Sequence, residues 1–104
     1  MGQQVAIAVQ APGPTWPAVK QQLLDRGHTA IVRMIDGLPA FPDEEPEPTW
    51  GELRIALSGG MVTIRRTASE WICTTWGTAD PALQEAVEAC VAAISAWRAD
   101  PEAR

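Results

Sequence analysis

Residues 52–76 alternate apolar and polar side chains and are interrupted by the pair Gly59-Gly60. Alternation places successive side chains on opposite faces of a strand. Adjacent glycines supply the positive φ that a two-residue hairpin turn demands. The segment therefore predicts an antiparallel sheet with one apolar face and one mixed face. A chain built on such a sheet has to cover the apolar face with another layer.

The rest of the sequence supplies that layer. Thr78-Ala79-Asp80-Pro81 is a helix start, with Asp80 as N-cap and Pro81 at the first helical position. Leu83, Val87, Cys90, Val91, Ile94 and Trp97 follow as an apolar stripe. Ala86, Ala89 and Ala93 are small enough to let this helix sit close to a sheet. Residues 4–10 form another alternating strand, with Val5, Ile7 and Val9 on one side, and Ala11-Pro12-Gly13-Pro14 breaks it. A helix is predicted over 16–26, with Pro17 in its first turn, Val19 and Leu23 on one face and Gly27 as its stop.

Residues 29–36 read as a second strand, and 50–58, 61–67 and 70–77 as three more, with a tight turn at Ala68-Ser69. Between Gly37 and Trp50 the pattern lapses. Pro39, Pro42, Pro46 and Pro48 alternate with Asp43, Glu44, Glu45 and Glu47. Proline removes backbone donors and fixes φ, so residues 37–49 predict a long, mobile acidic loop. Residues 100–104 are expected to fray.

The element order is β-α-β-β-β-β-α. It predicts an α+β fold, a curved antiparallel sheet with both helices packed on one face, in a single domain spanning 1–104. This succession is similar to that of TATA-binding-protein-like domains. The resemblance is one of element order alone and carries no functional expectation.

Composition narrows the class. A chain of 104 residues supports one core, and 46% hydrophobic against 20% charged residues predicts a folded globule. The net charge of −5, with Lys20 the only lysine, argues against nucleic acid and anionic membranes as partners. No apolar run reaches membrane-spanning length, and no basic region precedes an apolar run near the start. Cys73 and Cys90 read as small buried hydrophobes in a reduced, cytoplasmic protein rather than as a disulfide.

Chemistry-bearing residues are sparse. His28 is the only histidine and follows a loop glycine. Cys73 and Cys90 lack zinc-ligand spacing, and the acids at 43–47 lack the spacing of a calcium loop. Gly59-Gly60 opens no helix and lacks a phosphate-loop ending, and Ser69 has no nucleophile elbow. Of the five tryptophans, Trp71 and Trp97 are expected in the core, with Trp16 and Trp50 anchoring loop ends. The sequence therefore predicts no catalytic residues, no metal and no cofactor.

The mixed sheet face is the candidate site. With Gly59-Gly60 as the turn, Ser58 faces Met61, Ala56 faces Thr63 and Arg54 faces Arg65. A turn at Ala68-Ser69 sets Arg65 against Ile72, Thr63 against Thr74 and Met61 against Trp76. Turning Arg33 away from the core puts Ile31 and Ile35 on the same face. The predicted binding residues are Arg33, Arg54, Arg65, Ile72 and Trp76.

Three readings follow for this face. The acidic loop covers it and pairs with its arginines. Another protein, or a second copy in a homodimer, docks on it, since Trp, Met and Arg are enriched at interface cores. A small anionic ligand lies between the opposed arginines, which would otherwise repel. The sequence favours a non-enzymatic protein-binding or self-associating module, with the anionic-ligand domain as the alternative.

Overall fold

The computed structural model describes residues 3–9, 13–41, 43–75 and 80–96. In chain order the elements are β1 (Gln3–Ala8), α1 (Trp16–Asp25), β2 (Ile31–Ile35), β3 (Leu38–Pro39), β4 (Glu52–Leu57), β5 (Gly60–Arg66), β6 (Glu70–Thr75) and α2 (Pro81–Ser95). The strands form one open antiparallel sheet in the order β1-β6-β5-β4-β2-β3. The architecture is the α+β arrangement expected, with one further short strand, β3. The predicted frayed tail, Trp76 and Trp97 lie outside the described residues.

Local chemistry starts both helices. Thr15 Oγ1 accepts from Ala18 N at 3.3 Å ahead of Trp16-Pro17. Asp80 Oδ1 accepts from Ala82 N at 2.8 Å ahead of Pro81. Each bond satisfies a donor that the first helical turn leaves free. The helices pack on each other, and α2 lies over β1, β4 and β5.

Beneath them, Ile7, Val32, Leu53, Ile55, Leu57, Val62, Ile64, Trp71 and Cys73 form the buried sheet face. Val19 and Leu23 from α1 and Leu83, Ala86, Cys90, Ala93 and Ile94 from α2 close over it. Trp16 and Trp50, expected at loop ends, are both buried in this core.

The double glycine does more than turn the chain. Leu57 pairs with Gly60, so the turn residues are Ser58 and Gly59, one position earlier than the sequence suggests. Gly59 adopts φ +86. A Cβ on Gly59 would lie 2.7 Å from Leu83 N, and one on Gly60 would lie 2.9 Å from Leu83 Cδ2. The start of α2 therefore rests directly on the β4–β5 turn.

A second hairpin went unread in the sequence. Asp36 and Gly37, at φ +51 and +84, join β2 to β3, with Ile35 opposite Leu38. Consecutive positive φ values are those of a type I′ turn, for which Asp-Gly is a favoured pair. Asp36 Oδ1 also accepts from Gly51 N and Glu52 N at 2.8 and 2.9 Å, tying this turn to the start of β4.

The proline-rich segment is held rather than loose at its C-terminal end. Arg66 donates from Nη2 to Pro48 O at 2.7 Å and from Nε to Trp50 O at 2.8 Å, with a further Nη2 bond to Trp50 O. Its guanidinium lies 4.0 Å from the Trp50 ring centroid and 5.9 Å from that of Trp71. The two indoles meet edge to face at 5.1 Å. Burial lowers the Arg66 pKa, and the Asp36 charge opposes that shift.

Two outcomes test this account. Gly59→Ala should lose more than about 1 kcal/mol in urea unfolding, because it meets both an unfavourable φ and the α2 backbone. Ser58→Ala should stay within about 0.5 kcal/mol of the parent. Arg66→Ala should cost about 2 kcal/mol and alter the near-UV tryptophan dichroism. Arg66→Lys should recover only part of the loss, since an ammonium lacks the planar fork.

Candidate functional site

The face opposite the helices is built from alternate residues of five strands. Gln4, Thr74, Thr63, Arg54 and Met34 follow one another across β1, β6, β5, β4 and β2. Ala6, Ile72, Arg65 and Glu52 form the neighbouring row. Met61, Ala56 and Ile31 form the row on the other side. Side chains at every second position share a face, so the apolar residues inserted here are a consequence of sequence alternation.

The structure corrects the predicted pairing while keeping most of the faces. Moving the turn to Ser58-Gly59 slides β5 by two residues against β4. Arg54 now faces Thr63 and Arg65 faces Glu52, so the predicted Arg54–Arg65 opposition is absent. Ser58 does not face Met61, and Met61 takes the place of Thr63 opposite Ala56. A two-residue slide preserves which side each residue occupies, because the pleat repeats every two residues. The β5–β6 register matches the expectation at Arg65–Ile72 and Thr63–Thr74.

A second correction concerns β2. The register shifts between Val32 and Met34, so Arg33 occupies a bulge. One extra residue reverses the alternation downstream. Met34 consequently faces Arg54 on the open side, while Ile35 pairs with Leu53 and packs against the core. Placing Ile35 on the open face is therefore incorrect.

Arg65 and Ile72 are direct neighbours, and Arg54 lies diagonally from Arg65, a relation that typically spans about 7–8 Å. Arg33 is set apart at its bulge, and Trp76 is outside the described residues. Arg33, Arg54 and Arg65 are exposed, and Ile72 is half-buried. None of these arginines makes an ion pair among the described residues, so Asp43, Glu44, Glu45 and Glu47 do not neutralise them. The register leaves no directly opposed arginines and removes the argument for an anion between them.

Residues with no clear signal in the sequence complete the face. Met34 joins it through the bulge, and the shifted hairpin brings Glu52, already on that side, opposite Arg65. Thr74 is only 5% exposed, although it lies on the open side between Gln4 and Thr63. No described group bonds its hydroxyl. Beyond the sheet, Leu38 and Phe41 project from the proline-rich segment, 69% and 76% exposed. Glu44 Oε1 accepts from Phe41 N at 3.1 Å, and Glu44 N donates to Phe41 O at 2.9 Å, shaping this projection into a turn. Two exposed apolar residues within a proline-interrupted, acidic stretch were the available signal.

On the covered side, Cys73 of β6 and Cys90 of α2 are both buried free thiols. A hydrogen bond between them pulls Cys73 below the usual thiol range, against the upward pull of burial. The same bond, burial and the Cys73 charge push Cys90 well above that range. His28 is half-buried, and its backbone N–H donates to Leu23 O at 2.8 Å behind α1. Among the described residues, no group of three or more His, Cys, Asp or Glu side chains could hold a metal ion. No described helix is long and apolar enough to cross a membrane.

Comparison with family models, with curated proteins and with solved structures finds no match to this chain.

The thiol placement is checked by labelling. Both cysteines should react slowly with a disulfide reagent in the native protein and rapidly in urea. Fast labelling of either one under native conditions would contradict its burial.

Proposed function

We propose that this chain is a non-enzymatic protein-binding and self-associating module, and that the open face of its sheet is the binding surface. One observation carries the reading. Ile31, Met34, Met61 and Ile72 lie on this face beside Arg54 and Arg65, and no described helix or strand packs across it. Its arginines have no ion-pair partner among the described residues, in a chain whose net charge is −5.

A surface of this kind fits a partner that sets carboxylates around an apolar anchor. The chain carries such a surface itself. Leu38 and Phe41 project beside Asp43, Glu44, Glu45 and Glu47. Residues 38–47 of a second copy are therefore the occupant that best complements the face. Adjacent free thiols support a reducing compartment, the cytoplasm, as the setting.

The test is a titration of a synthetic peptide of residues 38–47 onto the protein, with sedimentation of the protein alone. Saturable peptide binding is expected. Ile72→Asp and Arg65→Glu should each weaken it about tenfold or more, and so should Phe41→Ala in the peptide. Added salt should weaken it further. Absence of binding, or binding indifferent to Ile72 and Arg65, would remove the open face from the function.

A further inference from the structure

We propose that β1 pairs edge to edge with β1 of a second copy, about a twofold axis at Ala6, joining two sheets into one. This uses the backbone edge of β1, although the Ala6 side chain lies on the open face beside Ile72.

The phase of the ladder identifies the free groups. Val9 N donates to Ser69 O at 2.9 Å, in register with the β1–β6 pairing. Along a strand, every second residue turns both backbone groups the same way. Gln3, Val5 and Ile7 therefore bond β6. Gln4, Ala6 and Ala8 present N–H and C=O to the outer edge, where no other described strand pairs.

Among the described residues, this edge carries none of the usual protection. Natural sheets guard such edges with charge, proline, bulges or short strands. Gln3–Ala8 has no charge, proline or glycine, and its register with β6 is unbroken. The opposite edge is guarded: β3 has two residues, one of them Pro39, and β2 is bulged at Arg33. With one open edge, pairing closes at a dimer instead of propagating.

The strand is also complementary to itself. Antiparallel pairing centred on Ala6 sets Gln4 opposite the second copy's Ala8, and both exchange backbone hydrogen bonds. On the helix side it sets Val5 opposite Ile7 of the other copy. Val5 is 40% exposed despite lying on the core-facing side beside Cys73. The pairing covers it. On the open side, the methyl groups of Ala6 and Ala8 leave room for the incoming strand.

The twofold axis makes the test specific. Ala6→Lys sets two ammonium groups opposite each other, and Ala6→Glu sets two carboxylates opposite each other. Measured in an Arg65→Glu background, which weakens association through the open face, sedimentation should give a dimer when position 6 is Ala and a monomer for either position-6 variant, with dissociation constants raised at least about tenfold. Mixing the two variants should restore a dimer, since only symmetric pairing brings position 6 against itself. In the parent, the Gln4, Ala6 and Ala8 amides should exchange more slowly as concentration rises. That measurement stands even if a variant fails to fold.

Arg65→Glu should leave this dimer intact, which separates it from association through the open face. A monomeric parent, amide exchange independent of concentration, or variants that fail to complement each other would overturn the proposal.

Discussion

The contact between the start of α2 and the β4–β5 turn organises the molecule. A Cβ on Gly59 would run into the Leu83 backbone, and one on Gly60 would crowd the tip of the Leu83 side chain. The helix start can sit this close because Gly59 has no side chain. That approach brings Leu83, Ala86, Cys90, Ala93 and Ile94 down onto the sheet and decides which face is dry. Among the described elements, no helix or strand packs on the other side.

A second set of interactions holds the irregular segment between β3 and β4. Arg66 reaches back to the carbonyls of Pro48 and Trp50 while stacking on the Trp50 ring, and Asp36 caps the first residues of β4. These bonds fall on backbone groups that proline-rich sequence cannot satisfy within itself. They anchor the end of the segment nearest the sheet. Leu38 of β3 and Phe41 just after it remain exposed. The open face and the acidic projection thus come from one plan, in which packing is spent on the helix side.

Much of the fold was legible because its signals are local. Asp80-Pro81 caps a helix whatever surrounds it, and the alternation of Leu53, Ile55 and Leu57 marks one face without reference to a partner. The candidate site was partly legible for the same reason: Arg54, Arg65 and Ile72 occupy the predicted side. Their neighbours were not. The turn is Ser58-Gly59 and not Gly59-Gly60, α2 packs against it, and that register sets Glu52 against Arg65. The bulge at Arg33 leaves no mark in the residue pattern, yet it exchanges Ile35 for Met34 on the open face. The Asp36-Gly37 hairpin was readable and was obscured by the prolines that follow it.

The amino-acid sequence by itself determined the order of the two helices and the five longer strands, the identity of the apolar face and the uncharged character of β1. These follow from side-chain period, capping chemistry and composition, which act over a few residues. Only the tertiary structure decided the register of β4 against β5, the position of the bulge, the clamp of Arg66 on Trp50, and which strand was left at the open edge. Each of those depends on groups distant in the chain meeting in space, and a two-residue slide or a single inserted residue leaves the local pattern almost unchanged.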